Sequence, residues 1–166
     1  MPPIRRAEPQ IPVELALYQP EIAPNAGAML RLGACLGVPV HIIHPTGFAF
    51  SRRALRRGGL DYVEHADIIE HDSYAHFADW LRAGSRRLVL LSTKAGTSAY
   101  VCRYAPGDVL LVGRESAGVP AAIAAAADLA VRIPMRQDRR SLNVATAASL
   151  VLGEALRQTG GFLTLK

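Results

Sequence analysis

Cysteine, lysine, aromatic residues and long apolar runs are all scarce in this sequence. Two cysteines, Cys35 and Cys102, stand among 166 residues. That is too few for a disulfide framework, and no Cys-x-x-Cys pair offers a zinc site. Both lie in apolar stretches and read as reduced core thiols. The longest apolar stretch, Ala121 to Val131, is interrupted by Asp128 and falls short of the ~20 residues a helix needs to span a bilayer. The opening MPPIRRAEPQIP carries charge and Pro2, Pro3, Pro9 and Pro12 but no apolar segment of the kind a secretory leader has. The expectation is a cytoplasmic protein with no membrane association.

Several chemistries lack their signatures. No Gly-x-Gly-x-x-Gly follows a strand, which disfavours a dinucleotide-dependent oxidoreductase. The glycines of Gly113 to Gly118 have phosphate-loop spacing, but Val119 and Pro120 stand where Lys and Ser or Thr are required. No Gly-x-Ser-x-Gly elbow supports a hydrolase. His41, His44, His65, His71 and His76 show no metal-ligand or triad spacing; of these, His41 and His44, flanking a strand end, are the two placed to reach a ligand.

What is present is arginine. Lys and Arg together number 19 against 14 acids, and only Lys94 and Lys166 are lysines. The guanidinium groups cluster at Arg52, Arg53, Arg56 and Arg57 and again at Arg136, Arg139 and Arg140. A planar fork that binds oxygens in pairs suits phosphate, and these clusters are the candidate RNA-binding residues. Set against this is the plainer reading of a solvated basic surface.

A chain this long buries roughly 70% of its unfolded surface and builds one core without staples. Residues 1–12 read as a loose arm and 13–166 as a single domain. Strand patterns at Val13–Tyr18, Val38–His44, Arg87–Ser92, Val109–Gly113 and Leu129–Ile133, with a weaker one at Tyr62–Glu70, alternate with helical patterns. The helices fall at Asn25–Leu36, Ser51–Arg57, Ser73–Arg82 and Ala121–Ala127. This alternation implies an α/β fold, a mostly parallel sheet with helices on both faces. The last helix is the clearest: Val144, Ala147, Ala148, Val151, Leu152, Ala155 and Leu156 form one apolar stripe, stopped by Gly160 and Gly161.

In open α/β sheets ligands bind beyond the carboxyl ends of strands, and three loops there stand out. The first, Pro20 to Gly27, places Pro24 and Asn25 at a helix entrance, with Asn25 able to cap backbone donors. Arg31 follows four positions after Gly27, on the same helix face. The second is Gly113-Arg114-Glu115-Ser116-Ala117-Gly118-Val119-Pro120. The third runs from Ile133-Pro134-Met135 to Ser141-Leu142-Asn143, where Ser141 or Asn143 can cap the final helix.

Taken in order, these loops resemble the three motifs of the 2′-O-methyltransferase branch of the SPOUT superfamily, over about Val13 to Phe162. Pro24-Asn25-Ala26-Gly27 with Arg31 resembles the first motif, GRESAGVP the second and IPM…SLN the third. The stretch His41 to Phe50, followed by Leu55 to Tyr62, is similar to the small bacterial enzymes that methylate the wobble nucleotide of leucine tRNAs. Arg114 and Val119 depart from the proline and leucine common in the second motif. SLNVATA is closer to guanosine-specific relatives.

The resemblance implies a C-terminal trefoil knot, S-adenosylmethionine as methyl donor with no metal, tRNA as substrate and a homodimer. It further implies Arg31 and Asn25 as catalytic residues. Cofactor contacts would come from Leu91, Gly113, Glu115, Gly118, Ile133, Ser141 and Asn143. The competing expectations are methylation of another tRNA or rRNA ribose, and an RNA-binding module without catalysis.

Overall fold

A computed structural model describes residues 11–57 and 61–166. The expected arm therefore lies almost wholly outside the described residues, as do Gly58 to Leu60, and the side chain of Arg57 falls outside them too. Seven strands form one sheet: β1 (Glu14–Tyr18), β2 (Val40–Ile43), β3 (Ile68–His71), β4 (Leu88–Leu91), β5 (Thr97–Ser98), β6 (Val109–Val112) and β7 (Leu129–Arg132). Their order is β3-β2-β1-β6-β4-β7-β5 and every pairing is parallel. The helices are α1 (Ala23–Leu36), α2 (Arg52–Arg57), α3 (Tyr74–Ala83), α4 (Ala121–Ala126) and α5 (Val144–Thr159).

Strand alternation sends successive side chains to opposite faces, so each central strand must be apolar on both. Leu15, Leu17, Val40, Ile42, Leu110 and Val112 pack under α1 and α5 with Met29, Leu30, Val151 and Leu152. Ala16, Ile43, Leu88, Leu90, Val109 and Leu111 face α3 and α4 through Phe77, Leu81 and Ile123. The apolar stripe read on α5 is its buried face, from Ala148 through Val151, Leu152 and Ala155 to Leu156. The helix ends at Gly160, whose φ of 75° is left-handed.

Four expectations change. The weak strand at Tyr62–Glu70 splits into a 3₁₀ turn, Asp61–Glu64, and β3, which starts only at Ile68. β5 was not expected, because two residues are too few to show an alternation. Cys35 is exposed and only Cys102 is buried; the stretch around Cys35 is a helix, which turns one side outward.

His41, which by its place near a strand end could have reached a ligand, is fully buried. Its Nε2 lies 2.5 Å from Glu14 Oε2 and its Nδ1 lies 2.8 Å from His71 Nε2. Arg86 donates to the other oxygen of Glu14 at 2.6 Å and lies over the Trp80 ring. Glu14 is thus a buried carboxylate satisfied from both sides, which is what makes its burial tolerable.

Burial first, then His41 and His76, bring the His71 imidazole down to about 4, with Asp72 opposing them. Below its ordinary value of 6.5, the unfolded chain binds a proton that the folded chain refuses. Stability therefore falls as pH drops from about 6.5 to about 4. Urea unfolding across that window is expected to show this slope in the native protein and a clearly smaller one in His71→Gln. Equal slopes would place the pH sensitivity elsewhere.

Candidate active site at the carboxyl ends of the strands

The sheet order reverses direction beside β1: the chain runs outward through β2 and β3, then returns to build β4 to β7 on the other side. Such switch points open a crevice beyond the carboxyl ends. Because Leu17 pairs with Val112, the loops after β1 and β6 emerge side by side. Leu91 likewise pairs with Val131, which brings the segments after β4 and β7 together.

The β4–β7 side holds an open pocket. Its walls are mostly apolar, with Leu91, Val131, Ile133, Met135, Leu142 and Val151, and Ser92 and Thr93 add hydroxyl-bearing side chains to the lining. This mixture suits a flat apolar ring held by a few polar groups. Of the expected cofactor contacts, Leu91 and Ile133 line this pocket. Ser141 is exposed and is not among the lining residues, whereas its neighbour Leu142 is.

The β1–β6 side is a hydrogen-bonded network. The Glu115 carboxylate accepts from the backbone N–H of Glu21 at 2.9 Å and of Ile22 at 3.3 Å, and from Asn25 Nδ2 at 3.4 Å. A negative charge there also complements the positive end of α1. Asn25 was expected to cap its own helix, but the N-cap is Ile22 and has no side-chain cap bond. Glu115 instead accepts the N–H groups of Ile22 and of Glu21 just before the helix, and Asn25 sits inside the first turn with its side chain bridging two loops. Its Oδ1 accepts from Asn143 Nδ2 at 3.0 Å, while Asn143 Oδ1 caps α5 by accepting from Ala145 and Thr146. Of the two caps left open for α5, Asn143 is the one used.

Gly113 allows a close backbone approach, but the approaching backbone is its own loop. A Cβ there would stand 2.5 Å from the Gly118 carbonyl carbon. Gly118 has φ of 63°, and its N–H and C=O exchange bonds with Arg114 at 2.8 and 3.0 Å. The loop is thus pinched shut, which needs glycine at both ends. Gly113, Glu115, Gly118 and Asn143 consequently belong to the β1–β6 network and are not among the pocket's lining residues, whereas Leu91 and Ile133 are.

Gly27 is buried and Arg31 exposed, although they share a helix face by spacing; a long side chain can cross from the buried edge to solvent. In the basic clusters, Arg52 donates to the Val63 carbonyl at 2.9 Å and Arg56 pairs with Glu64 at 2.6 Å. Arg136 and Arg139 both lie near Asp138, while Arg53 and Arg140 are exposed. Sequence reasoning left Glu21, Ser116, Met135 and Leu142 unassigned. Met135 and Leu142 lie within the motif quoted around Ile133 and Ser141, and Glu21 within the loop quoted before Asn25, so position inside the motifs was the available signal.

Replacing Asn143 by Ala removes the α5 cap, at a cost of about 1 kcal/mol in thermal or urea unfolding. Asn143→Asp keeps the accepting oxygen but loses the donor to Asn25, so it should recover most of that stability. Equal destabilisation by both variants would contradict the capping role.

Comparisons with known proteins follow this geometry. The model of the SpoU rRNA Methylase family matches residues 12–153. A protein of Beijerinckia indica subsp. indica named tRNA (cytidine(34)-2′-O)-methyltransferase is 56% identical over 146 residues, covering 88% of this chain and 91% of that one. A solved structure described as giving structural insights into the 2-OH methylation of C/U34 on tRNA superposes with a TM-score of 0.82 at 43% identity, covering 91% of this chain and 97% of the other. An AdoMet-bound rRNA methyltransferase from Sinorhizobium meliloti superposes with a TM-score of 0.80 at 27% identity, over 89% of this chain and 57% of that one. With its three loops gathered at one sheet edge and a family match across most of its length, the chain belongs to the SpoU rRNA Methylase family.

Proposed function

We propose that the protein transfers a methyl group from S-adenosylmethionine to the ribose 2′-hydroxyl of the wobble nucleotide, position 34, of tRNA, with leucine isoacceptors as its substrates. The observation that carries this reading is the gathering of the three loops at one edge of the parallel sheet, the first two joined through Glu115 and Glu21 across the switch point and the third lining an apolar pocket beyond β4 and β7. Relatives named for methylation of cytidine 34, at 42% and 56% identity, support the position. In this reading the protein works in the cytoplasm as a homodimer, and the segments from β4 to α5 are tied in a trefoil knot.

The residues present fit the cofactor. Leu91, Ile133 and Leu142 would hold its adenine, with Ser92, Thr93 and Ser141 near its polar parts. When bound, it supplies an electrophilic methyl group on a sulfonium, so the chain need only orient a ribose oxygen and let its proton leave. Well-oriented attack is worth up to about 7–11 kcal/mol, which leaves most of the work to positioning.

Arg31 is the group we assign to the RNA side. Its guanidinium offers a planar fork of N–H donors and no acceptor, which suits the phosphate beside the target ribose. Asn25, held between Glu115 and Asn143, fixes the start of the helix that carries Arg31. Arg53 and Arg140, with their clusters, extend the phosphate-binding surface.

The identity of the product is the first test. Nucleoside mass spectrometry of tRNA incubated with the protein and S-adenosylmethionine is expected to find 2′-O-methylation at position 34, leucine tRNAs included. The SLNVATA segment favours a guanosine ribose as the second reading, and methylation confined to rRNA would overturn the first.

The role of Arg31 is tested separately. Arg31→Lys is expected to lower kcat/KM on the order of tenfold or more, because a point charge cannot replace a bidentate fork. Near-native activity for this variant would rule out the fork as the operative feature.

A further inference from the structure

Glu21, within the first loop, was given no role above, yet both oxygens of its side chain are engaged by the loop after β6. Its Oε2 accepts the backbone N–H of Ser116 at 2.9 Å and its Oε1 accepts the Ser116 hydroxyl at 2.8 Å. In return, its own backbone N–H donates to Glu115 at 2.9 Å. Two loops more than ninety residues apart in sequence thus exchange carboxylates, each loop giving its acid to the other's amides. These hydrogen bonds from Ser116, first from its backbone and then from its hydroxyl, hold the Glu21 carboxyl below its ordinary range, with Arg114 adding a weaker pull.

A third loop rests on the same residue. The Gly47 N–H donates to the Pro20 carbonyl at 2.9 Å. A Cβ at Gly47 would come within 2.9 Å of the Glu21 Cα and 3.1 Å of its carbonyl oxygen. Gly47, in the His41 to Phe50 stretch of the wobble-type resemblance, therefore lies directly against the Glu21 backbone. Glu21 is not among the residues lining the apolar pocket, and its bonds to Ser116 are exposed, where such pairs contribute little to stability. What they supply is register: the loop that leads to Arg31, the loop that follows β6 and the loop after β2 meet at a single residue, Glu21.

We propose that Glu21 is a positioning residue for methyl transfer, acting through Ser116 to hold the RNA-side loops in alignment with the cofactor-side loop. The proposal rests on the methyltransferase reading given above. A misplacement of about 1 Å away from the reacting atoms can lower a rate by about a hundredfold, so small loop shifts are enough to be read in kcat.

The test uses the full-length protein with S-adenosylmethionine and the tRNA that the native protein methylates. Glu21→Ala is expected to lower kcat on the order of tenfold or more, with KM for S-adenosylmethionine and the melting temperature little changed. Glu21→Gln retains one accepting oxygen and can donate to the Ser116 hydroxyl, so it should restore part of the rate. Ser116→Ala combined with Glu21→Ala should be no slower than Glu21→Ala alone, since both remove one contact. Gly47→Ala, which leaves the carboxylate in place but displaces Glu21, should reproduce the loss in kcat.

Undiminished kcat in Glu21→Ala would overturn the proposal. So would a loss matched by a fall in melting temperature, which is a purely structural effect, or a rise in KM for tRNA with kcat intact, which is an RNA contact. Hydrogen exchange provides a readout besides activity: protection of the Ser116 amide should drop in Glu21→Ala while that of Gly118, bonded to Arg114, stays. Unchanged protection at Ser116 would likewise count against the clasp. A native protein that methylates no RNA would instead refute the methyltransferase reading itself.

Discussion

The carboxylate of Glu115 sits where the loops after β1 and β6 meet, and the site is organised around the amides it accepts. The chain entering α1 carries two backbone N–H groups, of Glu21 and of the N-cap residue Ile22, and the Ile22 side chain has no polar atom to serve the start of the helix. These two donors find their acceptor in another loop. Glu115 supplies the acceptor from the far side of the crevice, so the start of α1 is correct only when the β6 loop is correctly closed. That closure in turn depends on the pinch between Gly113 and Gly118. Helix, loop and site form one cooperative unit, and Asn25 passes the same constraint on to α5 through Asn143.

The parallel sheet explains why these groups converge at all. Every strand points the same way, so every strand-to-helix loop leaves from the same edge. The apolar strands bury both faces and contribute no chemistry there, apart from the Glu14, His41 and His71 chain that closes with Arg86. That chain lies against α3 and includes none of the pocket's lining residues. Its partners satisfy one another, and we assign it to the folding core. The division of labour is spatial: apolar pocket beyond β4 and β7, polar network beyond β1 and β6.

Much of this was legible in the order of residues. Alternating strand and helix patterns announced a parallel α/β sheet, and the stripe of α5 marked an apolar face that only the structure places against the sheet. The three loops were visible as interruptions rich in Gly, Pro and Asn at strand ends. What was not legible followed a common physical cause. His41 has the same local sequence context whether it faces a ligand or a buried carboxylate; the partner that decides, Glu14, is on another strand. Cys35 lies among apolar neighbours on a helix whose other face carries the burial. Asn25 has the composition of a cap but a position one turn too late to act as one.

The sequence by itself determined the elements, their class and the family, because period, turn chemistry and motif order are local properties that survive without a partner. The tertiary structure alone decided which side chain serves which loop. Glu115 and Glu21 are both acids in loops, and nothing near either one says that each will satisfy a backbone amide of the other's loop. Hydrogen-bond partners separated by ninety residues are chosen by strand order and register, and those are set by the packing of the whole sheet rather than by any stretch of chain.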